Sequence, residues 1–383
     1  MIPREAEKEL KLLANQFKAV AVTGPRQSGK TTLVRMVFPD KPYANLENPD
    51  LRMYAIQDPR GFLSDYPNGA ILDEVQRAPE LFSYLQQILD EKNGTGIFIL
   101  TGSNNFLLQN NISQSLAGRV GYLFLLPLTL AEINAAEDRT DRLLLKGGYP
   151  ELYHKNLNPD RYYANYIRTY VERDVRLLKN ISDLNTFERF LRLCAGRTGQ
   201  LLNMSSMAAE TGVDVKTISS WISVLEASFI VFRLQPYHKN FNKRIVKMPK
   251  LYFYDTGLAA SLMGLDTDTQ LSIHPFRGSL FENMVIVDFL KRSYNNGKSN
   301  DLFFWRDNTG NEIDLLIKSN DVRMPVEIKS GMTVSDEFFK GIRYWNKLTQ
   351  TEGGFLVYGG NMVQKRSNSI TVVPLSNLSM IEI

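Results

Sequence analysis

Short apolar runs alternate with helix-like segments along the first 126 residues of the chain. The runs cover residues 18–24, 43–48, 69–75, 96–102 and 120–126. A run that is apolar throughout is typical of a strand covered on both faces, so the alternation predicts a parallel sheet with helices on both sides. The segment from Arg4 to Phe17 repeats apolar residues at helical spacing and is predicted to pack beside that sheet.

Residues 184–250 have the pattern of a winged helix-turn-helix: a short helix, a turn at Gly212 and a second helix that Asp214 caps. The predicted inward side chains of the second helix are Val215, Ile218, Ile222 and Leu225. The predicted outward side chains suit a DNA groove, and they are Lys216, Thr217, Ser219, Ser220 and Ser223. The basic stretch 238–250, with Lys243, Arg244 and Lys247, is predicted to form the wing.

The last part of the chain mixes helix and strand. Residues 277–292 predict a helix with Glu282 near its start, and residues 303–318 and 322–331 predict two strands joined by a polar turn. A chain of 383 residues is longer than one hydrophobic core usually supports. The predicted domains are 1–127, 128–183, 184–250 and 251–383.

The composition is that of a globular protein, with 43% apolar and 22% charged residues. No segment approaches the roughly twenty apolar residues of a membrane span. The charged beginning is unlike a secretory signal, so we expect a cytoplasmic protein with no membrane partner. One cysteine and three histidines exclude a disulfide framework and disfavour a zinc site. Cys194 lies in an apolar run, where a buried thiol is favoured over a nucleophile.

The net charge of +4 is unevenly distributed, because fifteen Lys or Arg and seven Asp or Glu lie between Arg161 and Lys250. A basic region of this kind is typical of a protein that binds a polyanion such as DNA. A surface facing an acidic neighbouring domain would have the same charge, so this alternative stays open.

The first apolar run ends in the phosphate-loop pattern Gly24-x4-Gly29-Lys30-Thr31, and a helical segment follows at once. Glycines let the backbone N–H groups face phosphates, and the helix presents its positive end to them. Lys30 is predicted to neutralise the β and γ phosphates of ATP, and the Thr31 hydroxyl to bind Mg²⁺. The predicted nucleotide-binding residues are Gly24, Pro25, Arg26, Gln27, Ser28, Gly29, Lys30, Thr31 and Thr32.

Two acidic residues, Asp73 and Glu74, end the third apolar run, at the strand end where ligands bind to parallel sheets. Asp73 is predicted to hold Mg²⁺ through water, and Glu74 to polarise the attacking water. The fourth run is followed by Ser103 and Asn104, and one of them is predicted to reach the γ phosphate or that water. Both residue types also occur commonly in plain turns.

The order GPRQSGKT, ILDEVQ, LTGSN and SLAGRV resembles predicted AAA-type ATPases of bacteria and archaea that carry a C-terminal domain of unknown function. The resemblance covers the chain from about Ile2 to its end. It implies that Arg119 touches a γ phosphate of its own subunit or of a neighbour, although an ordinary salt bridge is the alternative. It also implies that 128–183 forms a small helical lid, within which the stretch from Gly147 to Pro150 is a hinge or a turn.

Asp314, Glu327 and Lys329 follow the order Asp, gap, Glu-x-Lys, which resembles the restriction-endonuclease-like nuclease fold. The Glu-x-Lys spacing places Glu327 and Lys329 on one face of a strand. Asp314 and Glu327 are predicted to hold a second Mg²⁺ while Lys329 stabilises developing charge, with Glu282 nearby as a further candidate. The pattern alone is common by chance, and a fold of this kind can persist without cleavage.

The predicted fold class is therefore α/β: a P-loop parallel sheet with a helical lid, a winged helix-turn-helix and a nuclease-like α/β domain. One functional hypothesis is an ATP-driven enzyme that acts on DNA. The other is a regulatory switch in which the ATP state controls binding of a protein or nucleic acid without cleavage. ATP and Mg²⁺ are the predicted cofactors, DNA is the predicted partner, and a homo-oligomer remains open.

Overall fold

The computed structural model of the chain describes residues 2–103, 108, 112, 115–134, 139–171, 183–238, 246–319 and 322–382. The chain divides into two compact units. Unit 1 comprises Met1–Pro127, Ala227–Phe229 and Ser293–Ser299. Unit 2 comprises Leu128–Glu226, Ile230–Arg292 and Asn300–Ile383. Pro127, the last residue of the predicted ATPase core, is thus the residue at which the chain first passes from one unit to the other.

The described part of unit 1 contains a five-stranded, wholly parallel sheet. Its strands are β1 (Ala19–Thr23), β2 (Tyr43–Asn45), β3 (Ile71–Asp73), β4 (Phe98–Gly102) and β5 (Val120–Phe124), in the spatial order β2-β3-β4-β1-β5. The helices are α1 (Glu7–Gln16), α2 (Lys30–Val37), α3 (Pro49–Gln57), α4 (Pro59–Ser64) and α5 (Leu81–Glu91). All five predicted strands and the predicted N-terminal helix are confirmed.

Helices cover both faces of this sheet because the strands are apolar on both sides. In β1, Val20 and Val22 join a core cluster with residues of α1 and α2. The alternate residues Ala19 and Ala21 join a second cluster with α5. The period-two alternation of side chains thus builds two hydrophobic layers from one strand. Since all strands are parallel, their carboxyl ends meet at one edge of the sheet, and the predicted nucleotide site lies there.

Most of unit 2 is a helical region followed by a mixed sheet. The described helices from residue 139 onward are α6 (Thr140–Lys146), α7 (Pro150–His154), α8 (Pro159–Tyr166), α9 (Leu184–Gly196), α10 (Met204–Thr211), α11 (Val215–Ala227), α12 (Thr256–Leu262), α13 (Asp268–Ile273), α14 (Arg277–Asn295) and α15 (Lys340–Thr349). The strands are β6 (Val231–Pro236), β7 (Lys250–Phe253), β8 (Phe303–Arg306), β9 (Glu312–Ser319), β10 (Val322–Lys329), β11 (Gly354–Tyr358), β12 (Gln364–Lys365) and β13 (Ile370–Pro374). The predicted break between helices at Gly147 and Gly148 is confirmed.

The described strands of unit 2 form one sheet in the order β12-β13-β11-β10-β9-β8-β6-β7. Strand β9 pairs antiparallel with both of its neighbours, β8 and β10. Strand β11 pairs parallel with both of its neighbours, β10 and β13. Strand β6 pairs with β7 on one side and with β8 on the other. The sheet therefore runs across residue 250, where the sequence predicted a domain boundary.

The prediction of one strand over residues 303–318 was wrong. The chain turns at Asp307, whose side chain accepts hydrogen bonds from the backbone N–H groups of Thr309 and Asn311 at 2.9 and 3.0 Å. Asp and Asn side chains that bond nearby backbone in this way favour turns over strands. The segment consequently folds as the hairpin of β8 and β9.

The second helix of the predicted helix-turn-helix is α11, and Asp214 caps it as predicted, through a 2.8 Å bond from Thr217 N. Ile218, Ile222 and Leu225 are buried as predicted. Val215 was predicted to face inward but is 44% exposed. As the first residue of α11, it lies one turn before the buried stripe begins.

Ser220 was predicted to face outward, but its hydroxyl oxygen is buried. The buried face of α11 is wider than predicted, because it also includes Trp221 and Val224. Ser220 is half-buried and lies on the same helical row as the buried Val224, four residues later.

Within the described ranges, no helix combines the length and the apolar character needed to cross a bilayer.

Candidate functional site

The phosphate loop connects β1 to α2, and two of its glycines have backbone conformations that side chains disfavour. Gly24 has φ +154°, and a Cβ atom there would lie 2.1 Å from the carbonyl oxygen of Leu125. Gly29 has φ +92° and directly precedes the first turn of α2. Only glycine tolerates both the close approach and the positive φ. The loop therefore wraps the start of α2, as its sequence predicts.

Lys30 is buried at the start of α2, with 6% of its surface exposed. Its ammonium donates hydrogen bonds to the carbonyl oxygens of Gly24 and Pro25, at 3.0 and 2.8 Å. The positive charge thus lies against the loop backbone, where phosphate oxygens bind in loops of this type. Of the remaining loop residues, Arg26 is half-buried, and Gln27 and Thr32 are exposed.

Asp73, the last residue of β3, is buried and accepts hydrogen bonds from three hydroxyl groups. Thr31 Oγ1 lies 3.1 and 3.0 Å from its two carboxylate oxygens. Tyr43 OH donates to Oδ2 at 2.6 Å, and Thr101 Oγ1 donates to Oδ1. Burial, together with the bond to this carboxylate, raises the pKa of Tyr43. The phenol therefore keeps its proton and donates a hydrogen bond that holds Asp73 in place.

Glu74 follows Asp73 in a left-handed conformation, with φ +54°. This conformation is strained for a residue with a side chain, and strain of this kind is frequent at functional sites. One carboxylate oxygen, Oε2, accepts hydrogen bonds from Gln76 Nε2 at 2.6 Å and from Ser103 Oγ at 3.0 Å. Ser103 thus lies beside the predicted catalytic carboxylate, whereas Asn104, the other candidate, lies outside the described residues.

The residues present fit a magnesium–nucleotide complex. The Thr31 hydroxyl and the Asp73 carboxylate are oxygen ligands of the kind Mg²⁺ accepts, either directly or through water. Within the described part of the chain, the buried hydroxyl oxygens of Thr23 and Ser28 have no hydrogen-bond partner. Buried polar atoms normally have one, so these two atoms at the loop are consistent with a polar ligand or water there.

Arg119 lies at the amino-terminal ends of the strands, whereas the phosphate loop follows the carboxyl end of β1. It directly precedes β5, and its carbonyl oxygen accepts a bond from Ala19 N at the first residue of β1. Its guanidinium is paired with Asp90, at 2.6 and 2.9 Å. The length of β1, about 13 Å for its four rises, separates this arginine from the loop of its own chain. Of the two predicted catalytic roles, only contact with a neighbour's nucleotide remains as a prediction.

Asp314, Glu327 and Lys329, which the sequence grouped by pattern alone, meet on the adjoining strands β9 and β10. Lys329 Nζ lies 2.8 Å from Asp314 Oδ2 and 2.8 Å from Glu327 Oε2. Ile328 N donates a further 2.8 Å bond to Asp314. Gly341, at the start of α15, leaves room for Glu327, because a Cβ atom there would lie 1.8 Å from its carboxylate oxygen. We call the group of Asp314, Glu327 and Lys329 the sheet cluster.

Glu282 belongs to a second group of charges, centred on Lys250. The ammonium of Lys250 lies 3.0 Å from Glu282 and 2.5 Å from Glu312. Tyr252 OH also donates to Glu282. Lys250 was predicted to be part of a solvent-exposed basic wing, but only 3% of its surface is exposed. A charge buried this deeply is paired because an unpaired one would cost several kcal/mol.

Burial and neighbouring charges lower the pKa of one of these carboxyl groups and raise the pKa of two others. Burial alone would raise the pKa of Asp314, but the ammonium groups of Lys329 and Lys250 lower it to about 2. Burial and the nearby charge of Asp314 raise the pKa of Glu327 well above its usual value. Burial also raises the pKa of Glu282, against the opposing effect of Lys250. Perturbed carboxylates of this kind are typical of functional sites, although structural ion pairs also produce them.

Glu282 does not join the sheet cluster as a third acidic ligand. Among the described side chains, no group of three or more His, Cys, Asp or Glu is placed to hold a metal ion. The Lys329 ammonium lies between the Asp314 and Glu327 carboxylates and donates a hydrogen bond to each.

The predicted DNA-contacting residues divide into three groups. Lys216 and Ser219 on α11 are exposed, and Lys247 before β7 is exposed. Ser220, by contrast, is half-buried, and its hydroxyl oxygen is buried. Lys243 and Arg244 lie outside the described residues. Cys194 is buried, as predicted, and burial raises the pKa of its thiol, so it is no activated nucleophile.

Several residues at these sites carry no recognisable signal in the sequence. Tyr43, Thr101 and Gln76 contact Asp73 or Glu74 from separate segments. Tyr43 stands outside the motifs, and Thr101 and Gln76 stand within LTGSN and ILDEVQ without a predicted role. Gln76 was within reach of prediction, since it stands two residues after Glu74. Lys250 was assigned to the wing because its basic neighbours favour an exposed surface.

Comparison with known proteins defines the class of the chain. A family model described as "AAA domain" matches residues 16–134. These residues contain the phosphate loop, Asp73 and Glu74 in the geometry described above, so the chain carries an AAA-type, ATPase-like P-loop domain. Two further models match domains of unknown function, DUF8612 over residues 137–269 and DUF4143 over residues 277–378. The predicted AAA-type resemblance is confirmed, and the nuclease-like assignment stays a prediction.

Relatives that match most of the chain narrow the family to which it belongs. The chain is 32% identical over 336 residues to "Uncharacterized protein Rv2008c" of Mycobacterium tuberculosis, a match that covers 87% of this chain and 75% of the relative. The chain belongs to the same protein family as this mycobacterial relative. "Uncharacterized protein MJ1544" of Methanocaldococcus jannaschii is 22% identical over 345 residues, covering 81% of this chain and 74% of the relative.

Among solved structures, the Walker-type ATPase PABY2304 of Pyrococcus abyssi aligns with a TM-score of 0.46 and 13% identity, over 68% of this chain and 96% of that one.

Proposed function

We propose that unit 1 binds ATP with Mg²⁺ and hydrolyses it. The observation that carries the proposal is the contact of Thr31 Oγ1, in the residue after Lys30, with both carboxylate oxygens of Asp73. The phosphate loop and the end of β3 are 42 residues apart in sequence, yet they form one site. Bound Mg²⁺ would neutralise negative charge on the phosphate oxygens of ATP.

Each residue has a role that follows from its position. Lys30 binds the β and γ phosphates, and the loop N–H groups bind the remaining phosphate oxygens. Thr31 and Asp73 hold the metal. Glu74 presents its second carboxylate oxygen, Oε1, which accepts no hydrogen bond from a described residue, to orient the attacking water.

A coupled assay for ADP release tests this proposal. We expect ATP turnover that stops when EDTA removes Mg²⁺ and that falls to background in Lys30→Ala. Glu74→Gln keeps the shape of the side chain and should still bind ATP, while its kcat falls about 100-fold or more. Wild-type protein that turns over no more ATP than Lys30→Ala would refute ATP hydrolysis.

We further propose that unit 2 contacts duplex DNA through a winged helix formed by α9, α10, α11 and the β6–β7 hairpin. Supporting this, Leu201 forms a short antiparallel bridge with Lys250, which adds a third strand position to that hairpin. The exposed groups Lys216, Ser219 and Lys247 supply the contacts. Fluorescence anisotropy with a labelled duplex should show affinity that weakens as salt is added. The Kd should also rise in Lys216→Glu and in Lys247→Glu. Salt-independent or absent binding would contradict this proposal.

The sheet cluster supports a nuclease-like role for the last part of the chain. Asp314 and Glu327 lie on adjoining strands with Lys329 on the same face, an arrangement that metal-assisted phosphodiester cleavage can use. With ATP and Mg²⁺ present, we expect nicking of plasmid, single-stranded or branched DNA. Glu327→Ala should abolish cleavage and leave ATP turnover unchanged.

A regulatory switch without cleavage is the second candidate. One specific observation favours it: the Lys329 ammonium lies between Asp314 and Glu327, where it neutralises the charge that would attract a metal. Under this proposal ATP turnover and partner binding respond to each other, and every DNA substrate stays intact. Cleavage that disappears in Lys329→Ala would exclude the switch as the full function.

A further inference from the structure

A buried arginine lies behind the phosphate loop. Arg4 precedes α1 and has 8% of its surface exposed. Its guanidinium donates one hydrogen bond to the carbonyl oxygen of Ser28 at 2.8 Å and another to the carbonyl oxygen of Leu126 at 2.7 Å. Ser28 is inside the loop, and Leu126 lies two residues beyond β5. A single side chain therefore joins the N-terminal segment, the loop and the segment that follows β5.

The bond to Ser28 determines which way one loop peptide faces. In a trans peptide the carbonyl oxygen and the next N–H point in opposite directions. Fastening the oxygen of Ser28 behind the loop consequently turns the N–H of Gly29 to the opposite side of that peptide. Loops of this type bind phosphates with backbone N–H groups. A charge-assisted bond to the oxygen also polarises the peptide and strengthens its N–H as a donor.

The other end of the loop rests against the same segment after β5. Gly24 approaches Leu125 so closely that a Cβ atom would lie 2.1 Å from its carbonyl oxygen. Arg4 binds the carbonyl of the next residue, Leu126. Both ends of the loop are thus held against residues 125–126, one by close packing and one by the guanidinium.

We propose that Arg4 is a positioning residue for nucleotide binding, which holds the Ser28–Gly29 peptide in the orientation that binds phosphate. The inference rests on the proposed ATP binding of unit 1. Arg4 touches no reacting atom, and its effect passes through the loop backbone. Its two hydrogen bonds described above end on the backbone carbonyl oxygens of Ser28 and Leu126, not on Asp73 or Glu74, so we expect binding to be affected more than the chemical step.

Steady-state ATP turnover and binding of a fluorescent ATP analogue test the proposal on the full chain. In Arg4→Gln, the KM for ATP and the Kd for the analogue should each rise about tenfold, because a charged hydrogen bond to the loop is lost. The kcat should stay within about threefold of wild type. A loss of folded protein alone would lower the apparent kcat and leave KM unchanged, so the split separates positioning from general destabilisation.

Two further variants complete the experiment. Arg4→Lys keeps the charge but lacks the planar fork that serves two carbonyls, so its KM should lie between those of wild type and Arg4→Gln. Arg4→Lys also replaces Arg4→Gln as the test variant if Arg4→Gln does not fold. Lys8→Gln removes an exposed positive charge four residues away and should match wild type.

The outcomes distinguish this inference from the proposed function. If wild type binds ATP and both Arg4 variants bind it equally well, the positioning role is wrong and ATP binding stands. If wild type binds no ATP, the proposed function and the positioning role both fail.

Discussion

Gln76 Nε2 donates a 2.6 Å hydrogen bond to Oε2 of Glu74, two residues before it in the chain. Ser103 donates to the same oxygen from the end of β4. Both donors fix one carboxylate oxygen, so the orientation of the other is set as well. Glu74 is thus held in a strained backbone conformation by neighbours on two sides.

Gln76→Ala should lower the kcat for ATP by about five- to tenfold with little change in KM, because a misplaced base costs turnover and not binding. Gln87→Ala is a matched control, since Gln87 makes a 2.8 Å bond to Glu91 on the surface of α5. An unchanged kcat in Gln76→Ala would show that Ser103 alone holds Glu74.

Tyr43→Phe is expected to weaken metal binding. The phenol supplies one of three hydroxyl bonds to Asp73, and the carboxylate keeps Thr31 and Thr101 as partners. We expect a loss of about 1 kcal/mol in the free energy of unfolding. The Mg²⁺ concentration for half-maximal ATP turnover should also rise. Tyr84→Phe, on α5, serves as control. Equal Mg²⁺ dependence in the two variants would contradict the role of Tyr43.

Arg119→Ala should lower ATP turnover at least tenfold if the arginine completes a neighbour's site. It should leave the Kd for ATP and the stability nearly unchanged, because the pair with Asp90 is exposed. Mixing Arg119→Ala with Lys30→Ala should restore turnover, since each variant supplies what the other lacks. Arg77→Ala breaks a comparable pair with Glu47 and serves as control. Wild-type turnover in Arg119→Ala would leave this residue a salt-bridge partner only.

Lys329→Met tests the balance of charge in the sheet cluster. The substitution leaves Asp314 and Glu327 without their ammonium partner, so the melting temperature should fall by roughly 5 °C or more. Mg²⁺ should raise the melting temperature of the variant more than that of wild type, because the two carboxylates become available to it. Lys340→Met, at an exposed position, should show neither effect. An Mg²⁺ response equal to that of wild type would argue against a cation site there.

Gly341→Ala should destabilise the chain by about 1–3 kcal/mol, because the added methyl group collides with the Glu327 carboxylate. Gly278→Ala is a close control, since each glycine is the second residue of its helix. The nearest atom to a Cβ at 278 lies 3.8 Å away, so stability should stay level or rise by less than about 1 kcal/mol. Urea unfolding of both variants measures the difference. Equal midpoints would mean that Glu327 moves aside without cost.

Much of unit 1 was predictable because its signals are local. The five apolar runs are strands, and the glycine-rich stretch between β1 and α2 is the loop its spacing predicts. The hairpin at Asp307 was missed because strand-forming residues flank a turn made by side-chain bonds. Ser220 was misplaced because the buried face of α11 depends on what packs against it, which periodicity along one helix does not reveal.

The sequence by itself determined the phosphate loop, the acidic pair that ends β3 and the AAA-type class, because each depends on residues close together in the chain. Only the tertiary structure decided which residues support them: Tyr43 and Gln76 at the carboxylates, Arg4 behind the loop, Lys250 beside Glu282. Hydrogen bonds and ion pairs act over about 3 Å in space, whatever the separation in sequence. A motif names the groups that perform the chemistry, and the fold selects the side chains that hold them in position.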